Sequence, residues 1–104
     1  MANNMMNMQK MMKQAQKMQA DMEKKSKDLE QQEFTGQDPT GMVQVKVNGA
    51  KKVLAIDLKP EVIDPEDPDM LSDLMLTAVN EALAKVDNKQ ADLFKGLGGG
   101  LPGF

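Results

Sequence analysis

The sequence of 104 residues contains no cysteine, histidine, arginine, tryptophan or tyrosine. Without cysteine there is no disulfide framework and no thiolate chemistry. Without histidine, cysteine or tyrosine, acid–base catalysis would depend on carboxylates and lysines, and a chain this short offers few clefts for them. We therefore expect no enzymatic activity, no cofactor and no small-molecule substrate.

Long apolar runs are also absent. No stretch of 18 apolar residues occurs that would predict a membrane-spanning helix. The methionine-rich N-terminus is interrupted by Asn3, Asn4, Asn7 and Gln9, which is not the continuous apolar segment of a secretory signal. These absences predict a cytoplasmic protein without a membrane partner.

Large core-forming side chains are scarce, because the only aromatic residues are three phenylalanines. A short chain of this kind buries a modest hydrophobic core. Association with a second copy would add buried surface, so we expect a dimer. The expected unit is a single domain of residues 1–96, followed by a flexible glycine-rich tail of residues 97–104.

Charge is unevenly distributed along the chain, although the net charge is only −3. Residues 1–20 carry three lysines and no acid, whereas residues 57–81 carry eight acids and one lysine. The sequence therefore predicts a basic N-terminal arm and an acidic middle segment.

The N-terminal pattern predicts one long helix over residues 4–33, since good helix formers dominate and no proline or glycine precedes Gly36. Apolar residues recur at alternating a and d positions of a heptad repeat, which is typical of a helix packed against another helix. They are Met8, Met11, Ala15, Met18, Met22 and Leu29, interrupted only by Lys25. A peptide-binding surface and a cuprous-ion site of thioethers are the alternative interpretations.

Five lysines lie nearly opposite this apolar seam, at heptad positions c and f. They are Lys10, Lys13, Lys17, Lys24 and Lys27. The pairs Asp21–Lys25 and Glu23–Lys27 are spaced for i,i+4 ion pairs, so the C-terminal half of the helix is expected to neutralise itself. The lysine face is either a phosphate-binding surface or an ordinary solvated face.

The middle of the chain predicts a short antiparallel sheet. Val43, Val45 and Val47 alternate with polar residues, and Asn48-Gly49 is a strong hairpin signal. Leu54, Ile56 and Leu58 alternate in the expected return strand, and Phe34-Thr35 are candidates for a third strand. A two-residue turn would place Lys46 opposite Lys51, so the register is left open between this turn and a longer, bulged loop.

A second helix is predicted from Pro68 to about Lys95, with Asp67 as N-cap and Gly96 as terminator. Its expected apolar stripe comprises Leu71, Leu74, Met75, Ala78, Ala82 and Val86. The acidic loop before it lacks the glycine and the distal glutamate of a calcium-binding loop. We therefore expect solvation and helix capping there, and no metal site.

These segments resemble, in order, the YbaB/EbfC family of bacterial nucleoid-associated proteins. The matching phrases are G-x-V-x-V-x-V-N-G at residues 41–49, I-D-L-K-P-E-V at 56–62, D-M-L-S-D-L at 69–74 and A-V-N-E-A at 78–82. A Met/Gln/Lys-rich helix precedes them and a tail ending in L-P-G-F follows. The fold expected from residues and resemblance together is α+β: helix, antiparallel sheet, helix.

The resemblance implies a homodimer, joined around the sheets with projecting helices, that binds double-stranded DNA in the bacterial nucleoid. It further implies an effect on nucleoid organisation and gene expression. Charge geometry then nominates the five lysines as DNA contacts, with Lys85, Lys89 and Lys95 as weaker candidates. Because arginine is absent, we expect backbone contacts with weak sequence preference. The competing hypothesis is a methionine-rich protein-interaction module without physiological DNA binding.

Overall fold

The structure is a computed structural model that describes residues 2–98. Its elements follow the order helix, three strands, short 3₁₀ helix, helix. They are α1 (Ala2–Gln31), β1 (Glu33–Gln37), β2 (Val43–Asn48), β3 (Val53–Leu58), the 3₁₀ helix (Pro60–Val62) and α2 (Pro68–Gly98). The predicted α+β fold is confirmed, including a third strand that contains Phe34 and Thr35.

The sheet is antiparallel with strand order β1-β2-β3, so β2 is central. Val43, Val45 and Val47 point to one face and are completely buried, as their alternation with polar residues predicts. Gln44 and Lys46 point to the other face and remain exposed. The sheet is therefore apolar on one side only, which is the usual arrangement of an antiparallel sheet with a single covering layer.

Helix α2 supplies that layer. Its first turn is capped as predicted, because the backbone N–H of Met70 donates to Asp67 Oδ1 at 3.2 Å. Ala78, Ala82 and Val86 are fully buried against the valines of β2. A Cβ added to Gly36 would overlap the α2 backbone at Ala78 and Ala82, so glycine permits the close approach of α2 to β1. Gly36 therefore lies within β1 and is needed for the packing of α2 against this strand.

The β2–β3 connection follows the longer of the two predicted registers. Lys46 lies opposite Ala55, and a bulge separates this pair from Val47–Val53. Positive φ falls on Lys51, at 66°, rather than on Asn48 or Gly49. Asn48 stabilises the loop through its side-chain oxygen, which accepts from the N–H groups of Ala50 and Lys52 at 2.9 and 3.0 Å.

Gly49 is required for a reason that the hairpin pattern does not reveal. A Cβ at this position would overlap the carbonyl group of Leu29 at the end of α1. Leu29 is the only α1 residue among 7–31 that is buried, at 5% exposure. The α1 helix is thus joined to the sheet by a close contact between its last turn and the β2–β3 loop.

The predicted end of α2 at Gly96 is wrong, because the helix continues to Gly98. The cause is that a glycine is tolerated inside an exposed helix at a cost of only about 1 kcal/mol. Residues 99–104, which make up most of the predicted tail, lie outside the described residues. The division into a domain of residues 1–96 and a tail stays a prediction.

Strand β3 departs most from expectation. Leu54, Ile56 and Leu58 alternate in the sequence as the apolar face of a half-buried strand does, yet of these three only Leu58 packs partly against the core. Helix α2 packs on β1 and β2 and leaves most of β3 uncovered. As a result Val53, Leu54 and Ile56 are 42–49% exposed on an edge strand.

Candidate nucleic-acid interface

The molecule is elongated, with extents of 79 × 26 × 15 Å, because both helices continue past the same end of the sheet. Leu29 meets Gly49 at the β2–β3 loop, and Lys51 of that loop pairs with Asp87 of α2 at 2.7 Å. The chain N-terminal to Leu29 and C-terminal to Asp87 therefore extends beyond this loop. We call α1 residues 7–28 the arm.

The structure places all five predicted lysines on the exposed arm. Lys10, Lys17 and Lys24 are seven residues apart, and Lys13 and Lys27 lie on the adjacent row. At 100° per residue, the two rows lie about 60° apart around the helix axis, and their midline lies about 160° from the midline of the a/d seam. The lysine face is therefore continuous and points away from the methionines.

None of these five lysines is in an ion pair within residues 2–98, where the recorded pairs are Lys46–Glu33, Lys51–Asp87 and Lys85–Glu81. The predicted pairs Asp21–Lys25 and Glu23–Lys27 are accordingly not formed. Their spacing is suitable, but exposed ion pairs gain little over the entropy of holding two long side chains together. Charge on the arm is thus available to an external anion.

The weaker candidates on α2 fall into two groups. Lys85 donates to the carbonyl oxygen of Thr35 at 2.6 Å and approaches Glu81 at 3.6 Å, so it ties α2 to β1. Lys89 and Lys95 lie beyond Asp87 on the projecting part of α2 and are exposed. The geometry therefore retains Lys89 and Lys95 as candidates and gives Lys85 a packing role.

The acidic segment lies at the opposite end of the sheet from the arm. Lys59, which follows β3, donates its backbone N–H to Met42 O at 2.9 Å, next to the β1–β2 turn. The loop of residues 59–67 therefore leaves from this end, and α2 begins there. Among residues 2–98 no group of three acidic side chains is arranged to hold a metal ion.

One polar residue at this end was not singled out by the sequence. Asp38 is almost completely buried in the β1–β2 turn. Its Oδ1 accepts from Val43 N–H at 2.7 Å, and its Oδ2 accepts from Thr40 N–H at 2.8 Å and from the Thr40 hydroxyl. The hydrogen bond from the Thr40 hydroxyl is the main cause that lowers the pKa of Asp38, against the opposing effect of burial. The Asp-x-Thr spacing in a turn is the signal that would have found it.

Comparison with known sequences now adds to this geometry. A family model described as the YbaB/EbfC DNA-binding family matches residues 5–101. The chain belongs to the YbaB/EbfC DNA-binding family. The resemblance inferred from the sequence phrases is thereby confirmed.

Curated relatives within the family carry the name nucleoid-associated protein. One from Clostridium botulinum is 54% identical over 97 residues, covering 93% of this chain and 86% of the relative. Another from Streptococcus sanguinis is 47% identical over 98 residues, covering 94% of this chain and 99% of the relative. The family description and these names together point to nucleoid-associated DNA-binding proteins and not to enzymes, as expected for the chain.

A solved structure shares the fold. An uncharacterized protein of Helicobacter pylori matches with a TM-score of 0.69 at 17% identity, covering 80% of this chain and 87% of that one. At this level of identity the likeness supports the fold alone.

Neither α1 nor α2, over residues 2–98, is long and apolar enough to cross a bilayer.

Proposed function

We propose that the chain is a nucleoid-associated protein that binds double-stranded DNA as a homodimer, with effects on nucleoid organisation and gene expression. The observation that carries the proposal is the unpaired lysine face of the arm, on a member of a DNA-binding family. Lys10, Lys13 and Lys17 are the principal contacts, because no acid lies among residues 1–20. Lys24 and Lys27 extend the surface toward the sheet.

The dimensions of the lysine face suit a duplex. From Lys10 to Lys27 the helix rises about 25 Å. That length corresponds to about seven base pairs at 3.4 Å each. A helix also fits the major groove, which is about 12 Å wide. The face can therefore follow several consecutive phosphates.

The chemistry favours backbone contacts with weak sequence preference. A lysine ammonium is a point charge on a flexible stem and lacks the planar fork with which arginine reads guanine. Binding through phosphates releases counterions and is therefore steeply salt-dependent. The acidic segment, at the other end of the sheet, keeps its negative charge away from the duplex.

Dimerisation is the second part of the proposal, and strand β3 supports it. Val53, Leu54 and Ile56 expose apolar surface on an edge strand whose outer hydrogen-bonding groups are open. Such an edge invites pairing with another chain unless it is covered. A second copy presents the same edge, so a two-fold dimer through β3 covers both at once.

Salt dependence of DNA binding tests the mechanism. With three principal lysines on each of two arms, about six phosphates are contacted, which predicts a slope of log affinity against log salt near −5. Replacing Lys10, Lys13 and Lys17 together by Gln should flatten this slope and weaken binding to all sequences alike. A gel-shift series with random and fixed duplexes at increasing salt measures both quantities.

The matched control removes three lysines from the sheet region instead: Lys46, Lys52 and Lys59, each replaced by Gln. Both triple variants have the same net charge, so a general charge effect would weaken them equally. If the arm variant binds like the parent with the same slope, the arm is not the DNA contact and Lys89 and Lys95 become the candidates.

The competing function is a protein-interaction module that uses the methionines of the arm, which are 40–68% exposed at Met8, Met11, Met12, Met18 and Met22. Apolar contacts of this kind are not weakened by salt, whereas phosphate contacts are. The lysine triple variant leaves the methionines unchanged. Loss of DNA binding in that variant, with a steep salt slope in the parent, excludes the module as the sole function.

A further inference from the structure

The a/d seam of the arm is an apolar surface that the described part of the chain does not cover. Leu29 at its end is buried against the β2–β3 loop, which fixes the side of α1 that faces the rest of the chain. Moving outward along the seam, exposure rises from 40% at Met22 through 54% at Met18 to 68% at Met11. The seam thus continues for several heptads past the point where its own chain can cover it.

We propose that this seam packs antiparallel against the same seam of a second copy, as an interface separate from β3. An a/d repeat without a partner is the arrangement that packs against another helix. From Met8 to Leu29 the seam is about 32 Å long at 1.5 Å per residue, which is enough for about three heptads of knobs-into-holes packing. The inference goes beyond the proposed function, since it concerns a second self-association surface, apart from β3, and not DNA.

The flanking positions favour self-pairing, because the lysines stay out of it. The e and g positions beside the seam are Met12, Gln14, Gln19, Asp21, Ser26 and Asp28, none of them basic. The five DNA-contact candidates lie at c and f, on the outside of a paired arm. Two arms can therefore join through methionines while both lysine faces remain accessible.

Charge also selects the antiparallel orientation. In a parallel pair Lys25, at position d, would face Lys25 of the second copy, and the two uncompensated lysine-bearing N-terminal halves would lie side by side. In an antiparallel pair each N-terminal half, with three lysines and no acid, meets a C-terminal half in which four acids outnumber three lysines over residues 21–30. Like charges are separated in this arrangement, and opposite charges approach.

An antiparallel pairing in which the a positions of one helix face the d positions of the other also brings together side chains of complementary size. Aligning Met11 with Met22 of the second copy places the small Ala15 opposite the long Met18, and Met8 beside the aliphatic stem of Lys25. Large and small side chains alternate across the seam, as close packing requires. Methionine is flexible enough to fill the remaining gaps.

The absence of cysteine makes the orientation directly testable by cross-linking in the full chain. A Met11→Cys chain and a Met22→Cys chain, distinguished by a mass tag, are mixed under mild oxidation. The mixed disulfide should predominate, because the two sulfurs face each other only in the antiparallel register. As a control, a Lys13→Cys chain and a Lys24→Cys chain are mixed in the same way. Both residues lie on the lysine face, so their cross-linking measures random collision.

Predominant cross-linking of Met11→Cys to itself would overturn the antiparallel orientation. Mixed cross-linking no stronger than that of the lysine-face control would overturn the interface. Each result is read by mass spectrometry without DNA, so it does not depend on the proposed DNA binding.

Self-association provides an independent readout in chains whose β3 surface has been disabled by Ile56→Asp. In that background, replacing Met11, Met18 and Met22 by Leu should preserve association, and replacing them by Gln should weaken it at least tenfold in sedimentation equilibrium. The Gln variant keeps all its lysines, so its DNA affinity per chain at concentrations below self-association should match that of the Ile56→Asp parent. Equal association of the Leu and Gln variants would overturn the proposal.

Discussion

The two helices have nearly the same length, 30 residues in α1 and 31 in α2, but they are used in opposite ways. The first 19 residues of α2, from Pro68 to Val86, are packed through Ala78, Ala82 and Val86, which are completely buried. In α1 the single buried residue among 7–31 is Leu29. One helix forms the core with the sheet, and the other carries an apolar seam and a lysine face into solvent.

The difference follows from the side chains that each helix offers the sheet. Alanine and valine on α2 let its backbone approach β1 until only Gly36 fits between them. Methionine on α1 is long and adaptable, which suits a surface that meets its partner after folding. Stability should therefore reside in the sheet and in residues 68–86 of α2, and association should reside in β3 and the arm.

The largest loss of stability is expected at Val45, in the packed region formed by the sheet and residues 68–86 of α2. Val45 is fully buried in β2 and has no polar partner for a carboxylate, so Val45→Asp should cost several kcal/mol and unfold the chain. Circular dichroism and a urea titration measure the loss. A cooperative urea transition of Val45→Asp at the parent's midpoint would show that α2 does not exclude water from this face of the sheet.

Ile56 lies directly opposite Val45 in the register but is 42% exposed. The same substitution at Ile56 therefore tests where residues that stabilise the fold give way to residues that serve association. Ile56→Asp should leave the chain folded and weaken the β3 dimer at least about 100-fold, which corresponds to a cost near 3 kcal/mol. Light scattering over a concentration series measures the shift.

Ala55→Asp is the matched control, because Ala55 lies on the same strand with its side chain on the polar face. It should keep the dimer if the apolar face of β3 is the interface. Dimerisation of Ile56→Asp with the parent's affinity would remove β3 from the proposal, and unfolding would show that the isolated chain needs its partner.

Much of the secondary structure was predictable, because it depends on local sequence pattern. The alternation of Val43, Val45 and Val47 predicted the central strand, and Asp67-Pro68 predicted the start of α2. The heptad pattern predicted α1 to within two residues at each end. Each of these signals lies within one element and requires no knowledge of its neighbours.

The errors arose where a residue's role depends on a distant element. Asn48-Gly49 was interpreted as a hairpin signal, but the close contact with Leu29 of α1 is what requires a glycine at position 49. Ile56 was assigned to the core because its strand alternates, and periodicity cannot tell which strand α2 leaves uncovered. The spacing of the five lysines predicted that they share one face of α1, yet only the fold shows that the acidic segment lies at the opposite end.

A smaller and pH-dependent effect is expected at Asp38. Its pKa is lowered in the folded chain, chiefly by the Thr40 hydroxyl, so its ionised form stabilises the fold. That stabilisation is fully present above the ordinary carboxyl pKa of about 3.9. It is lost as pH falls through the lower folded-state pKa. Asp38→Asn should therefore be less stable than the parent at pH 7, and the gap should narrow below about pH 4.

Urea midpoints at a series of pH values measure this gap. Asp92→Asn, which removes an exposed carboxylate from the projecting part of α2, is the control and should track the parent throughout. A gap between Asp38→Asn and the parent that stays constant down to pH 2 would show that the shape of the turn, and not its charge, matters.

The smallest effect is expected at the far end of α2, which past Val86 should contribute as little to stability as the arm of α1. Deleting Leu97–Phe104 removes the last turn of α2 and the glycine-rich segment, and the buried core cluster of the described residues ends at Val86. The loss should stay under about 1 kcal/mol, a shift of a few degrees in Tm. Differential scanning calorimetry measures the shift, with deletion of residues 1–6, which precede the arm, as the matched truncation. Equal, small shifts would confirm that both projecting ends lie outside the cooperative core, whereas a large drop for the C-terminal deletion alone would mean that Leu101 or Phe104 packs against it.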